Sequence, residues 1–302
     1  TLYGRNREEL EENLDRISQC LNDVDQDISW REEDSLVSVF NRQHEVSVND
    51  REEVFQMALK VAQDSGGAFD PTVLSVSGLW DIGGENQRPP SKTEIEEALK
   101  NVDYQAVTLS DGSLKTDNMH LLFELGAIGK GYAIEQAAAE IDRDEVSAGI
   151  LSAGSSILTF GTKPEGSKFR VALRDPRGGQ DDRIGIMTLT DLSISTSGDY
   201  ERYFEEDGVR YHHILDARTG YPADSGLMSV TVIADNSTLC DALSTAGFIL
   251  GLDEDMDLMD KYGVLAIFVD NQRNVYYNNE SILDLLSFEG EAEGYALKPY
   301  EG

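Results

Sequence analysis

The sequence predicts an α+β fold in which mixed, largely antiparallel sheets pack against helices. Helical and strand-like segments follow one another without the regular alternation that builds parallel βαβ sheets. The 302 residues are 40% hydrophobic, which is enough to bury a substantial core. No long linker divides the chain. We therefore expect one domain over residues 1–302, with two intimately packed subdomains as the alternative.

Apolar residues at spacings of three and four predict the helices at Arg7–Leu21 and Asn49–Gln63. Between Arg7 and Leu21 they fall at Leu10, Leu14 and Ile17. A Ser-Lys-Thr-Glu capping box at 91–94 opens a helix that runs through Leu99. Three further helices are predicted: Asn49–Gln63 with Asn49 or Asp50 as cap, one from about Tyr132 to Ile141, and one from Asn236 or Ser237 to Gly251.

Short runs rich in β-branched and aromatic residues predict the strands. They are Ala106–Leu109, Leu121–Leu125, Ser156–Phe160, Phe169–Leu173, Ile184–Leu189, Ser229–Ile233, Leu265–Val269 and Val275–Tyr277.

The charge of the chain excludes some classes of partner. It carries 57 acidic and 25 basic residues, a formal net charge of −32. Such a surface repels nucleic acid and anionic lipid, so we expect no nucleic-acid partner. An anionic substrate would need local positive charge or a bound cation. We also find no apolar stretch long enough for a membrane helix, and we expect Cys20 and Cys240 to be packed thiols.

A glycine-rich turn at residues 126–131 is a candidate phosphate site. Gly126, Gly129 and Gly131 allow backbone amides to approach a ligand, the following helix start adds partial positive charge, and Lys130 adds a full one. The segment matches neither the Walker nor the dinucleotide-binding pattern. By itself, such a turn is more often a feature of tight packing.

Two oxygen-bearing side chains on one helix face are candidate cation ligands. Asp241 and Thr245 are four residues apart, and Mg²⁺ takes few protein carboxylates. The alternative is an aspartate bonded to the neighbouring backbone.

Two more segments carry polar residues of interest. Asp70 lies in "SGGAFDPTV", where an Asp-Pro turn is usually structural. His212 and His213 are two of only four histidines and stand side by side in "HHILDARTG". On a strand they would point to opposite faces, so only one could serve as a general base.

Taken in order, these segments resemble the ApbE family of FAD:protein FMN transferases. The motifs are GGAFDPTV with Leu79-Trp80, LGAIGKGYA, STSGDYERYF with HHILDARTGYP, and SVTVIA with DALSTA, and the similarity covers nearly the whole chain. It implies an ApbE-like fold, related to the T-fold. It also implies an enzyme that, with Mg²⁺, cleaves FAD, releases AMP and attaches FMN to a threonine of an acceptor flavoprotein, which could be an electron-transport subunit.

The resemblance also implies site residues. The metal would be held by the carbonyl of Ala127 with Asp241 and Thr245, and His213 and Asp241 would be catalytic. His213 would accept the proton of the attacking hydroxyl, with Asp216 or Asp199 as its orienting partner. The expected FAD contacts are Trp30, Ala68, Phe69, Asp70, Glu124, Lys130 and Leu215.

Two other activities fit the same residues: an FAD pyrophosphatase that gives FMN and AMP, and a non-catalytic FAD-binding protein. The family resemblance implies a bacterial periplasmic location, or the outer face of the cytoplasmic membrane with a lipid-anchored precursor.

Overall fold

The computed structural model describes residues 1–300. Its α-helices are α1 (Arg7–Ile28), α2 (Leu36–Gln43), α3 (Glu52–Asp64), α4 (Leu74–Trp80), α5 (Lys92–Leu99), α6 (Gly129–Ala139), α7 (Ser237–Leu250) and α8 (Leu252–Tyr262). Its strands are β1 (Leu2–Gly4), β2 (Glu45–Ser47), β3 (Val107–Ser110), β4 (Ser113–Thr116), β5 (Val146–Ala153), β6 (Ser156–Phe160), β7 (Phe169–Arg174), β8 (Arg183–Leu189), β9 (Leu192–Gly198), β10 (Tyr203–Glu206), β11 (Val209–His212), β12 (Leu215–Asp216), β13 (Tyr221–Pro222), β14 (Leu227–Ala234), β15 (Leu265–Asp270), β16 (Asn274–Tyr277), β17 (Leu286–Phe288) and β18 (Ala296–Pro299).

An eight-stranded sheet forms the centre of the fold. Its strand order is β1-β5-β6-β9-β14-β15-β16-β18, and every pair is antiparallel except β16 with β18. Two three-stranded sheets, β17-β8-β7 and β2-β4-β3, and two hairpins, β10-β11 and β12-β13, complete the strands. The predicted α+β class with largely antiparallel sheets is confirmed.

Both faces of the central sheet are covered. On β15, Ala266 and Phe268 join the core cluster that contains α7, whereas Ile267 and Val269 join the cluster under the β7-β8-β17 sheet. Side chains alternate between the faces of a strand, so a nearly continuous apolar run is what a strand buried on both faces requires.

Helices α6 and α7 lie against one face of the sheet and pack closely against each other. A Cβ atom added at Gly131 would lie 2.2 Å from the carbonyl oxygen of Ser237 and 2.7 Å from Cβ of Asp241. Only glycine fits there, and this close approach brings the first turn of α6 against the N-terminal part of α7.

Most predicted elements are present with shifted ends. Helix α1 continues seven residues beyond Leu21 to Ile28, α6 begins at Gly129 rather than Tyr132, and a 3-10 turn at Asn49–Arg51 precedes α3. The side chains of Asn49 and Asp50 do not cap α3, whose N-cap position is Arg51. In residues 1–300, no helix has the length and apolar character needed to cross a membrane.

The predicted strand at Leu121–Leu125 is wrong. This apolar segment is extended but makes only an isolated bridge, between Leu122 and Val73. The side chain of Asn41 takes the place of a neighbouring strand: Phe123 N–H donates to its Oδ1 at 2.7 Å, and its Nδ2 donates to the Phe123 carbonyl at 2.9 Å. A single side chain therefore satisfies backbone groups that a sheet would otherwise pair.

Candidate active site

A cavity of about 680 Å³ opens beside the end of β9. Its walls come from the loop after α1, the loop before α4, α4 itself, the start of α6, the β5-β6 turn, the end of β9, the segment after β11, and α7. Ten of the eleven residues predicted for the site line it, namely Trp30, Ala68, Phe69, Asp70, Glu124, Ala127, Lys130, His213, Leu215 and Thr245. The eleventh, Asp241, lies behind the wall next to Lys130.

Asp241 is held by groups from two elements, α6 and β9. It is 2% exposed. Its Oδ2 accepts the backbone N–H of Gly131 at 2.8 Å, and its Oδ1 accepts the hydroxyl of Ser195 on β9 at 3.2 Å. The Lys130 ammonium is 3.5 Å from Oδ1. The carboxylate is therefore fixed in orientation, with a cation already on its cavity side.

The hydrogen bond from Gly131 has a consequence for Ala127. In a regular helix the Gly131 N–H would donate to the carbonyl four residues earlier, that of Ala127. Because it donates to Asp241 instead, no donor within residues 1–300 bonds the Ala127 carbonyl. This carbonyl is free to act as a ligand, as the resemblance implies.

The three expected oxygens fit a hard cation. A carboxylate, a hydroxyl and a carbonyl are the ligand types that Mg²⁺ takes, with water and phosphate filling the remaining positions. Residues 1–300 contain no cluster of three or more His, Cys, Asp or Glu side chains suited to a metal.

The glycine turn offers fewer amides than expected. Gly129 N–H donates to the Leu125 carbonyl at 2.8 Å, and Gly131 N–H is used by Asp241. Of the three amides at 129–131, only that of Lys130 has no partner among the described residues. An anion at this helix start would rely mainly on the Lys130 side chain.

The paired histidines face different environments. His212, the last residue of β11, is buried; its Nε2 bonds the Ala223 carbonyl at 3.0 Å, and its ring packs edge-on to Phe248. His213 lines the cavity. Burial, and secondarily the Arg202 guanidinium, lowers the pKa of His213 to about 3, so the ring is neutral at neutral pH.

Neither expected carboxylate orients His213. Asp216 is engaged by Arg218 at 2.9 Å, and Asp199 by both terminal nitrogens of Arg177 at 2.7 Å. The partner is instead the Arg202 carbonyl, 3.2 Å from Nδ1. A carbonyl can only accept, so Nδ1 carries the proton and Nε2 is left as the basic nitrogen.

Two expected FAD contacts use their carboxylates inside the protein. Asp70 accepts the Thr72 hydroxyl at 2.7 Å and the Tyr104 N–H at 3.1 Å, so its oxygens hold the Asp-Pro turn. Glu124 accepts the Ser77 hydroxyl at 3.0 Å, and burial raises its pKa. Asp70 can therefore offer a ligand little beyond its backbone.

Several polar residues of the cavity are not recognised in the sequence, and three of them matter for its charge and hydrogen bonding. Arg31 stacks on Trp30, with its Cζ 4.5 Å from the ring centroid, and Arg202 lies near Glu124. With Lys130 they give the cavity three cations. Ser197 on β9 is the third missed residue. Alternating serines at 193, 195 and 197 in "SISTSG" are the signal that could have indicated it, because they share one strand face.

Fold and site together define an α+β protein with a cavity on which cationic and oxygen-bearing side chains converge. Residues 2–268 match the model of the ApbE family, and the chain belongs to that family. This confirms the resemblance read from the motifs.

Relatives and solved structures agree with this assignment. An FAD:protein FMN transferase of Treponema pallidum is 31% identical over 87% of this chain and 78% of its own length. The ApbE protein of Thermotoga maritima superposes with a TM-score of 0.83 at 36% identity, covering 92% of this chain and 91% of that one. The flavinyl transferase ApbE of Pseudomonas stutzeri gives 0.75 at 30% identity, covering 89% and 84%.

Proposed function

We propose that this protein is an FAD:protein FMN transferase that uses Mg²⁺ and attaches FMN to a threonine hydroxyl of an acceptor flavoprotein, releasing AMP. The observation that carries the proposal is the convergence of Lys130, His213, Thr245 and, just behind the wall, Asp241 on one cavity. The family membership and the names of the relatives support it. The cavity volume is in the range of sites that hold nucleotide-sized ligands.

Asp241, Thr245 and the Ala127 carbonyl are the residues that would hold Mg²⁺. When bound, the ion neutralises charge on the pyrophosphate and on the departing AMP. Lys130 adds a second positive charge beside Asp241. Local cations of this kind allow a protein of net charge −32 to hold an anionic substrate.

His213 is the proposed general base. Because Nδ1–H is donated to the Arg202 carbonyl, Nε2 is the atom that accepts the proton of the threonine hydroxyl. The threonine oxygen attacks the phosphorus atom in the FMN half of FAD at the same time. The bond between that phosphorus and the bridging oxygen breaks, and AMP leaves with the electron pair. Arg202 thus contributes through its backbone, which fixes the tautomer of the base.

The pyrophosphatase alternative differs only in the nucleophile, since water in place of threonine gives FMN and AMP. The neutral, oriented His213 serves either nucleophile. A non-catalytic FAD-binding protein would not need an oriented base. For location, the family resemblance supports a proposal of the periplasm or the outer face of the cytoplasmic membrane.

The test uses Asp241→Asn with the exposed Asp257→Asn on α8 as control. Asparagine keeps the shape of the side chain while removing its charge; alanine would leave Gly131 N–H and the Ser195 hydroxyl without their acceptor. Each protein is incubated with FAD, Mg²⁺ and an acceptor flavoprotein domain, and the acceptor is analysed by mass spectrometry.

We expect an FMN adduct on threonine with the wild type and Asp257→Asn, and its loss with Asp241→Asn or without Mg²⁺. Release of FMN and AMP with no adduct would establish the pyrophosphatase. FAD binding without either product would establish the non-catalytic protein.

A further inference from the structure

A ladder of hydroxyl groups connects strand β9 to the face of α7 that carries Asp241 and Thr245. Ser195 Oγ is 3.2 Å from Asp241 Oδ1. Two residues on, Ser197 Oγ is 3.0 Å from Thr245 Oγ1 and 2.9 Å from Ser244 Oγ. The strand thus places one serine beside each side-chain oxygen that the proposed function gives to the cation.

The spacing of the two elements explains this pairing. Residues two apart on a strand are separated by roughly 6.6 Å along its axis, and residues four apart on a helix by about 6 Å. Both pairs lie on one face of their element. With β9 and α7 packed in this register, Ser195 can contact Asp241 while Ser197 contacts Thr245.

The direction of the hydrogen bonds follows from the fact that each hydroxyl donates one proton. Ser244 Oγ donates its proton to the Asp241 carbonyl at 3.0 Å, so Ser244 Oγ must be the acceptor in its hydrogen bond with Ser197. Ser197 therefore donates to Ser244, and it is the acceptor in its hydrogen bond with Thr245. The alternative acceptor for the Thr245 proton, the Asp241 carbonyl, is farther away at 3.4 Å.

We infer that Ser197 is a positioning residue for the proposed cation site. By accepting a hydrogen bond from the Thr245 hydroxyl, Ser197 turns the lone pairs of Thr245 Oγ1 towards the cavity. A hydroxyl ligates a cation through a lone pair, so its proton must be directed elsewhere. This inference rests on the proposed function, because it gives Thr245 the role of ligand. Partners of metal ligands commonly alter metal affinity by about 10–100-fold when removed.

Ser193 supplies a matched control. It lies on the same strand and face, two residues before Ser195, and is fully buried. Its hydroxyl has no hydrogen-bond partner within the described residues. Ser193→Ala therefore makes the same chemical change without breaking a hydrogen bond.

The experiment measures the quenching of FAD fluorescence as Mg²⁺ is added, with no acceptor protein present, for the wild type and the variants S197A, S193A, T245V, S197A/T245V and D241N. Thermal unfolding of each variant verifies that it is folded. We expect the half-saturating Mg²⁺ concentration to rise about 10–100-fold in S197A and to stay unchanged in S193A. High Mg²⁺ should restore full quenching in S197A.

The double variant separates positioning from direct binding. If Ser197 acts through Thr245, S197A/T245V should need no more Mg²⁺ than T245V. Additive losses would overturn the inference, as would an unchanged Mg²⁺ requirement in S197A while D241N abolishes the response. If quenching does not depend on Mg²⁺ in the wild type, or D241N responds normally, the proposed cation site itself is wrong and the inference is wrong with it.

Discussion

His212 and His213 are adjacent in sequence but make different contacts. His212 fills a buried position between the Ala223 carbonyl and Phe248, whereas His213 lines the cavity with a free Nε2. The two should therefore contribute separately to stability and to catalysis.

We expect His213→Ala to slow FMN transfer by roughly 10²–10⁴-fold, as is typical for the loss of a general base. His212→Ala should instead lower the melting temperature, because it removes a buried ring and a hydrogen bond. Single-turnover transfer rates and thermal unfolding of both variants check this. Equal catalytic losses at matched stability would contradict the assignment.

Asp255 is a buried carboxyl group without a hydrogen-bond partner among the described residues. It lies in the first turn of α8 and is fully buried against α7, where a Cβ atom on Gly247 would lie 2.3 Å from its Oδ2. Burial raises the pKa of Asp255 to about 8, far above its value in the unfolded chain. Between about pH 4 and pH 8, the Asp255 carboxyl group is therefore protonated in the folded protein and ionised in the unfolded chain.

This difference predicts a pH dependence of stability. The contribution of Asp255 is fully present below about pH 4 and is lost as the pH rises towards 8, by up to about 1.4 kcal/mol per pH unit. Asp255→Asn cannot titrate, so its melting temperature relative to the wild type should rise steadily from pH 5 to pH 8. Parallel curves for the two proteins would show that Asp255 is not protonated in the folded state.

At the scale of elements, the contact between α6 and α7 assembles the proposed cation site. It rests on Gly131, whose N–H bonds Asp241 and whose carbonyl accepts the Ser237 hydroxyl at 2.7 Å. The third element is β9, whose serines face α7. Displacing any of the three would separate oxygens that lie on different segments of the chain.

Gly131→Ala should therefore destabilise the protein, although glycine to alanine usually favours a helix. The new methyl group would overlap Ser237 and Asp241, and overpacking of this kind costs about 1–3 kcal/mol. Gly129→Ala in the same helix is the control, because its Cβ would lie 3.4 Å from Ile28. We expect chemical denaturation to show a loss of stability only for Gly131→Ala, together with a higher Mg²⁺ requirement for FAD binding.

At the scale of the whole molecule, the net charge of −32 creates repulsion that opposes compaction. Salt screens such long-range repulsion, whereas the short contacts beside Lys130 are affected less.

Adding NaCl from about 0.05 to 0.5 M should therefore raise the melting temperature and leave FAD affinity nearly unchanged or slightly higher. Thermal unfolding and FAD fluorescence titrations at each salt concentration measure the two effects, with Lys130→Ala as the comparison for binding. A steep loss of FAD affinity with salt, or affinity indifferent to Lys130, would show that the pyrophosphate does not lie at the start of α6.

Much of the fold is predictable because local patterns decide it. The capping box at Ser91, the apolar spacing of α1, and the cap and terminal glycine of α7 predict helices without any knowledge of their neighbours. Strand β9 is missed because its alternating serines pack against α7 and give no apolar pattern. Strand β5 is missed because serine, alanine and glycine interrupt its apolar residues, and both of its serines are exposed. The segment 121–125 shows the converse: its apolar residues are buried, but Asn41, eighty-two positions away from Phe123, satisfies its backbone.

The sequence by itself determined the α+β class, the family and ten of the residues that line the cavity, because a motif is defined by residue types and their order. Only the tertiary structure decided how those residues are used. The Arg202 carbonyl rather than Asp216 or Asp199 orients His213, and Gly131 gives its N–H to Asp241, which leaves the Ala127 carbonyl free. Hydrogen bonds of this kind join groups from different elements within about 3 Å, and that distance is set by how the helices and strands pack.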